Sequence, residues 1–304
     1  MSNWRIQEGE DPEPSGPLKK PKQGGTLPGT GVRVAIIDNG IAREALSQAW
    51  LQGIRPSPSD IDPVRKYDAT HGVRDDTMEV GAGHGTFVAG VVRQLAPGCF
   101  VDPIRALGEE TTGTEQQVAD GIARAVRDGA QVINLSFGGL TIDDQPPAAI
   151  QAAIEAVPGD VLIVAAAGNE RTERPIWPGS LRRIVSVAAT DQHGDDHGEV
   201  AADVADYSNR GWWVDVAAPG TWRSTFVTGD ENPEQETDGH PDHFTRPFAE
   251  AAGTSFAAAA VSGALAAELS ARGGSPRDAL LRLLARPGNR RLPWGGTSLD
   301  VWGD

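Results

Sequence analysis

Two apolar patterns alternate along the chain. Short unbroken runs of β-branched and small residues are followed by longer stretches in which apolar positions recur at helical spacing. The first run, Gly31-Val32-Arg33-Val34-Ala35-Ile36-Ile37, stops at the turn residues Asp38-Asn39-Gly40. Runs of this kind describe strands buried on both faces, as in a parallel sheet. Others are expected from Phe100 to Leu107, Val132 to Phe137, Val161 to Ala167, Arg183 to Ala189 and Val214 to Ala218. Helical spacing of Val118, Ile122, Ala125 and Val126 predicts a helix from about Glu115 to Asp128, closed by Gly129. Further helices are expected from about Pro147 to Ala156 and from Ser255 to about Ala271. A last one opens at Ser275-Pro276 and carries Leu280, Leu281, Leu283 and Leu284. Residues 42–80 read as loops and short helices, and 228–250 as an acidic, apolar-poor insertion. Residues 1–30 show neither period and are expected to form a flexible arm.

Strands alternating with helices indicate an α/β fold, a three-layer sandwich with a central, mostly parallel sheet. Right-handed crossovers put the strand ends on one edge, which Asp38, Ser136 to Gly139 and Asn169 would share. Gly29 and Gly31 precede the first strand, whereas a dinucleotide fingerprint needs its glycines after it.

Composition narrows the function classes. A chain of 304 residues, 39% of them hydrophobic, is long enough for one large core. A net charge of −15 disfavours nucleic acid and anionic membrane surfaces as partners. The single cysteine, Cys99, rules out an internal disulfide and fits a reducing compartment. The first residues contain no apolar signal region, and no stretch is apolar enough to span a bilayer, so a cytoplasmic location is expected. Lys19-Lys20-Pro21-Lys22 reads as a solvated charge run.

Three stretches carry candidate chemistry. Ser255 lies between Gly253-Thr254 and a run of alanines, at the expected first turn of a thin, buried helix. Serine or threonine there caps a helix. Equally, a serine at the positive end of the helix can act as a nucleophile beside a backbone N–H that holds an oxyanion. His84 sits among small residues in Gly81-Ala82-Gly83-His84-Gly85-Thr86, ahead of an apolar run; alone it reads as a base or as a satisfied core histidine. Asp38 ends a buried strand, as an ordinary turn aspartate or as part of a site.

In order along the chain, Asp38-Asn39-Gly40, His84-Gly85-Thr86-Phe87-Val88-Ala89-Gly90, Gly168-Asn169 and Gly253-Thr254-Ser255-Phe256 resemble the subtilisin-like serine protease family, the subtilases. Val132 to Gly139, Ala165 to Glu170, Tyr207 to Gly211 and Ala217 to Gly220 are similar to its further landmarks. The resemblance covers about residues 30–285 and implies a peptidase domain over 31–304.

The resemblance implies a triad in which His84 takes the proton of Ser255 and Asp38 stabilises the imidazolium, with Asn169 donating to the oxyanion. It also implies substrate binding at Ser136, Phe137, Gly138, Gly139, Ala167, Gly168, Glu170 and Ile176, with an extended peptide or protein substrate added as a β-strand. Ile176 stands where many members have glycine in the primary specificity pocket, so small P1 residues are expected. Ala259 and Ala260 replace the usual proline and histidine, and Asn39 the commoner serine or threonine. No cofactor or metal is expected: Ala42 replaces the acidic residue that helps bind a structural calcium in many members.

In the insertion, Asp238 and His240-Pro241-Asp242-His243 have the residue types of a metal site but read as a solvated loop. The arm is either a disordered tail or a segment occluding the cleft. The leading expectation is an intracellular serine endopeptidase that processes a dedicated substrate. The alternatives are general protein turnover and a catalytically inactive subtilase fold used for binding.

Overall fold

The strand Arg33–Asp38 (β2) lies one place in from the edge of the main sheet, and its alternate residues serve two different cores. Val34 and Ile36 belong to one apolar cluster and Ala35 and Ile37 to another, as expected of a strand covered on both faces. The computed structural model describes residues 4–5, 10–16, 18, 25–68, 73–108, 111–194, 200–201, 203–230 and 242–302. The Lys19 to Lys22 run, Asp238, His240 and Pro241 lie outside the described residues.

Among the described residues the main sheet has ten strands. Besides β2 they are Glu10–Pro14 (β1), Phe100–Arg105 (β3), Val132–Leu135 (β4), Leu162–Ala166 (β5), Ile184–His193 (β6), Val216–Thr225 (β7), Phe248–Ala252 (β8), Arg290–Arg291 (β9) and Thr297–Ser298 (β10). The spatial order β3-β2-β4-β5-β6-β7-β10 is parallel throughout. β9 runs antiparallel to β10 and β8 antiparallel to β7, while β1 pairs antiparallel with the outer edge of β8.

Five α-helices are described: His84–Leu95 (α1), Glu115–Arg127 (α2), Ala148–Glu155 (α3), Thr254–Arg272 (α4) and Pro276–Leu284 (α5). α1 and α4 contribute to the cluster on one face of the sheet, α2 and α3 to that on the other. The result is a three-layer α/β sandwich around a mostly parallel sheet. Capping boxes at Thr114/Gln117 and Ser275/Asp278 set the starts of α2 and α5.

Three regions differ from the apolar pattern. Residues 42–80, read as loops and short helices, include strands Arg65–Asp68 and Val73–Met78, paired antiparallel. The end of the insertion forms β8. In the arm, Trp4–Arg5 pairs with Thr112–Gly113, and β1 joins the main sheet. In the insertion and the arm, pairing with a distant segment supplies the backbone hydrogen bonds, a source that local periodicity does not register.

Candidate active site

Asp38 is the last residue of β2 and is fully enclosed. Its Oδ1 accepts from the Asn39 backbone N–H at 2.8 Å. His84 opens α1, and its Nδ1 lies 2.9 and 3.0 Å from the two Asp38 oxygens. A carboxylate in that position makes Nδ1 the protonated nitrogen and leaves Nε2 with a lone pair that can accept a proton.

Glycines on either side make this approach feasible. Gly83, the residue before the helix, has φ 79°, a left-handed conformation. A Cβ on Gly85 would lie 2.2 Å from the Gly40 carbonyl oxygen, so only glycine lets α1 press this closely on the end of β2.

Two further residues hold the start of α1. Asn39 donates from Nδ2 to the Gly81 carbonyl and accepts from the Gly85 N–H, at 2.8 and 2.9 Å. Asp62 accepts from the Gly83 N–H at 2.8 Å and from the Val64 N–H at 3.0 Å. Burial pushes the Asp62 carboxyl up to about 6, against the opposing effect of those two backbone donors and of Arg105. Asn39 looks like a mild change in the sequence, and Asp62 carries no signal there; both roles depend on segments that meet only in the fold.

Ser255 is the second residue of α4 and is almost wholly buried. A chain of buried side chains ties this end of α4 to β4. Ser262 donates to Asn134 Oδ1 at 3.0 Å, Asn134 Nδ2 to Ser136 Oγ at 2.8 Å, and Ser136 Oγ to the Ser255 carbonyl at 2.9 Å. The Ser255 hydroxyl donates to the Ser136 carbonyl at 3.1 Å, and His84 Nε2 has no hydrogen-bond partner among the described residues. Phe256, the next residue, stacks at 5.6 Å on the His84 ring and at 4.3 Å on Phe87. These contacts bring the start of α4 against the start of α1. The Ala259-Ala260 pair is buried inside a helix that runs unbroken from Thr254 to Arg272.

Asn169 lies just beyond β5. Its Oδ1 accepts from the Thr254 N–H and hydroxyl at 3.0 and 2.9 Å, and the Thr254 oxygen in turn accepts from the Gly168 N–H at 3.0 Å. With Oδ1 committed to Thr254, the amide Nδ2 lies on the other side of the group, 3.5 Å from where a Cβ on Gly253 would stand. Thr254, read in the sequence as a helix cap at most, is thus a partner that orients Asn169.

The other expected substrate residues divide. Ser136, Phe137 and Gly138 follow β4 on the same edge, with the Phe137 side chain sunk into the core of the α2–α3 face. Gly139 is engaged elsewhere: its N–H and C=O both pair with Trp177, at 2.9 and 3.0 Å. Ala167 and Ile176 are fully buried in one small cluster with Trp213, Val214 and Leu292, while Glu170 is exposed. Ala42 is buried and offers no side-chain oxygen, and no group of three or more His, Cys, Asp or Glu suited to a metal occurs among the described residues. Burial pushes the Cys99 thiol up to about 11, so it supplies no thiolate at neutral pH.

A parallel-sheet sandwich with a buried carboxylate–imidazole pair at one helix start and a serine at another defines the subtilisin-like class of serine endopeptidase. The family model of the subtilases (Peptidase_S8) matches residues 29–286, and the chain belongs to that family. It is 31% identical over 222 residues to thermitase of Thermoactinomyces vulgaris, covering 69% of this chain and 71% of that one. Another curated relative, the thermophilic serine proteinase of Bacillus sp. strain AK1, is 30% identical, but the chain spans only 46% of its length. Among solved structures, a protease of Pseudoalteromonas arctica PAMC 21717 superposes with a TM-score of 0.66 at 25% identity, covering 91% of this chain and 90% of that one. The patellamide maturation protease PatA does so with a TM-score of 0.56 at 26% identity, covering 84% and 85%.

Proposed function

We propose that this protein cleaves peptide bonds with Ser255 as nucleophile, His84 as general base and Asp38 as the carboxylate that orients it. The observation that carries this reading is the two-oxygen contact between Asp38 and His84 Nδ1, beside a serine at a helix start. Ser255 Oγ attacks the substrate carbonyl as its proton passes to His84 Nε2, and the imidazolium then protonates the leaving amine. Asn169 Nδ2 and the Ser255 N–H stabilise the oxyanion, supported by the way Thr254 fixes Asn169. The substrate adds as an extended strand along Ser136 to Gly138. A backbone N–H of that strand competes with Ser255 for the Ser136 carbonyl, which favours turning the hydroxyl towards His84.

A fluorophosphonate probe tests the nucleophile. Wild type is expected to react, and Ser255→Ala to give no signal above background. Equal labelling of the two would instead support the inactive binding-protein reading.

The reading extends to a dedicated intracellular processing protease with small P1 residues, needing no metal or other cofactor. It is supported by the maturation role in the name of PatA, by the buried side chain of Ile176 and by the lone cysteine. Peptide-library cleavage read by mass spectrometry is expected to show few sites, with Ala, Gly or Ser at P1. Ile176→Gly should admit larger P1 side chains. Cleavage of unfolded proteins at many unrelated sites would favour general turnover.

A further inference from the structure

Asn209 binds the segment around Asn169 through its side chain and its backbone together. It is fully buried, in the connection between β6 and β7. Its Oδ1 accepts from the N–H groups of both Glu170 and Thr172, each at 3.0 Å. Its Nδ2 donates to the Ala167 carbonyl at 2.9 Å and to Glu170 Oε2 at 2.8 Å. Its backbone N–H donates to the Gly168 carbonyl at 2.9 Å. On either side, the Arg171 N–H bonds the Tyr207 carbonyl and the Arg210 N–H the Thr172 carbonyl, both at 3.1 Å. One side chain thus holds polar groups both before and after Asn169, using both ends of its amide.

We infer that Asn209 is a positioning residue for the oxyanion site: it clamps residues 167–172 so that Asn169 meets Thr254 in the one orientation that aims Nδ2 at the reacting carbonyl. This rests on the proposed role of Asn169. The physical need is clear. Gly168, with φ 97°, puts a flexible joint immediately before Asn169, and an oxyanion donor displaced by a fraction of an ångström loses much of its effect. Thr254 fixes the side chain of Asn169, while Asn209 fixes the backbone that carries it. Other residues of similar or smaller size do not supply the set. Aspartate lacks both Nδ2 donors and would set a second carboxylate against Glu170, and serine is too short to span from Ala167 to Thr172.

Active-site-titrated kinetics on the full chain, with the best-cleaved peptide of the library, test this. Asn169→Ala is expected to lower kcat by about 10²–10³-fold. Asn209→Ala is expected to lower kcat by at least about tenfold, with KM within about twofold, since the transition state gains most from the donor. The double variant should be no slower than Asn169→Ala alone, because a clamp on an absent donor has nothing left to lose. An unchanged kcat in Asn209→Ala, a rise confined to KM, or losses that multiply in the double variant would each overturn the inference. If Asn209→Ala does not fold, hydrogen exchange on the wild type decides: the Glu170 and Thr172 amides must be protected, and exchange at unprotected rates refutes the clamp. A wild type that fails to react with the fluorophosphonate would instead refute the catalytic reading itself.

Discussion

Replacing Asp62 by asparagine removes a carboxylate that helps hold the turn before His84, and its consequence depends on pH in a defined direction. The carboxyl is raised from 3.8 to about 6, first because of burial, with the nearby charge of Asp38 adding to the effect and Arg105 opposing it. The folded protein therefore holds a proton at Asp62 between about pH 4 and 6 that the unfolded chain has released, so this group's contribution to stability falls as pH rises through that window. A displacement of that size is worth about 3 kcal/mol. Asp62→Asn loses an acceptor at every pH but escapes the cost of a buried charge at high pH. Urea unfolding should therefore find the variant less stable than wild type at pH 4.5, with the gap closing or reversing by pH 7.5. A gap independent of pH would mean that Asp62 is not charged in a buried setting. At the same end of α1, Gly85→Ala sets a methyl group against the Gly40 carbonyl and should cost about 1–3 kcal/mol in the same assay.

Among the elements, α4 carries Ser255, the proposed nucleophile, and is held by a buried polar chain as well as by its apolar faces. Alanines let it lie deep between the sheet and α1, while the Ser262–Asn134–Ser136–Ser255 chain determines where along its axis it stops. Asn134→Ala leaves the buried Ser262 hydroxyl without its acceptor and Ser136 Oγ without its incoming donor, and is expected to cost about 2–4 kcal/mol. Fluorophosphonate labelling of the folded fraction should slow as well, since Ser255 loses its register; unchanged labelling would show that packing alone places it. Elements of this kind were legible in the sequence where one segment carried the whole signal. The buried run of β2 and the helical spacing of α2 needed no partner to be recognised. β8 was hidden because Phe-Ala-Glu-Ala-Ala has no alternation to mark it, and it is a strand only because β7 pairs along it. The candidate site divides in the same way. The motifs imply roles for Asp38, His84, Asn169 and Ser255, whereas the contacts of Thr254, Asn39, Asp62 and Asn209 reach partners from 21 to 85 residues away that the motifs do not name.

At the scale of the molecule, the parallel strands converge on one edge and bring together groups from opposite ends of the chain, as open α/β sheets do. The sheet itself has to stop somewhere. Its outermost strand beyond β8 is β1, Glu10-Asp11-Pro12-Glu13-Pro14, paired so that Pro14 faces Ala249 and Glu10 faces Ala252. By composition this is a disordered tail. In its place on the sheet it works as a stopper, because prolines cannot donate to a further strand and the exposed Glu13 carboxylate repels a second acidic edge. Removal of residues 1–16 would leave β8, which leads directly into Gly253 and Ser255, with a bare row of backbone donors and acceptors. Light scattering of the truncated protein should then show association that grows with concentration, and the intact chain should stay dispersed. A feature that composition reads as unstructured is, on this view, what keeps one molecule's sheet from templating the next.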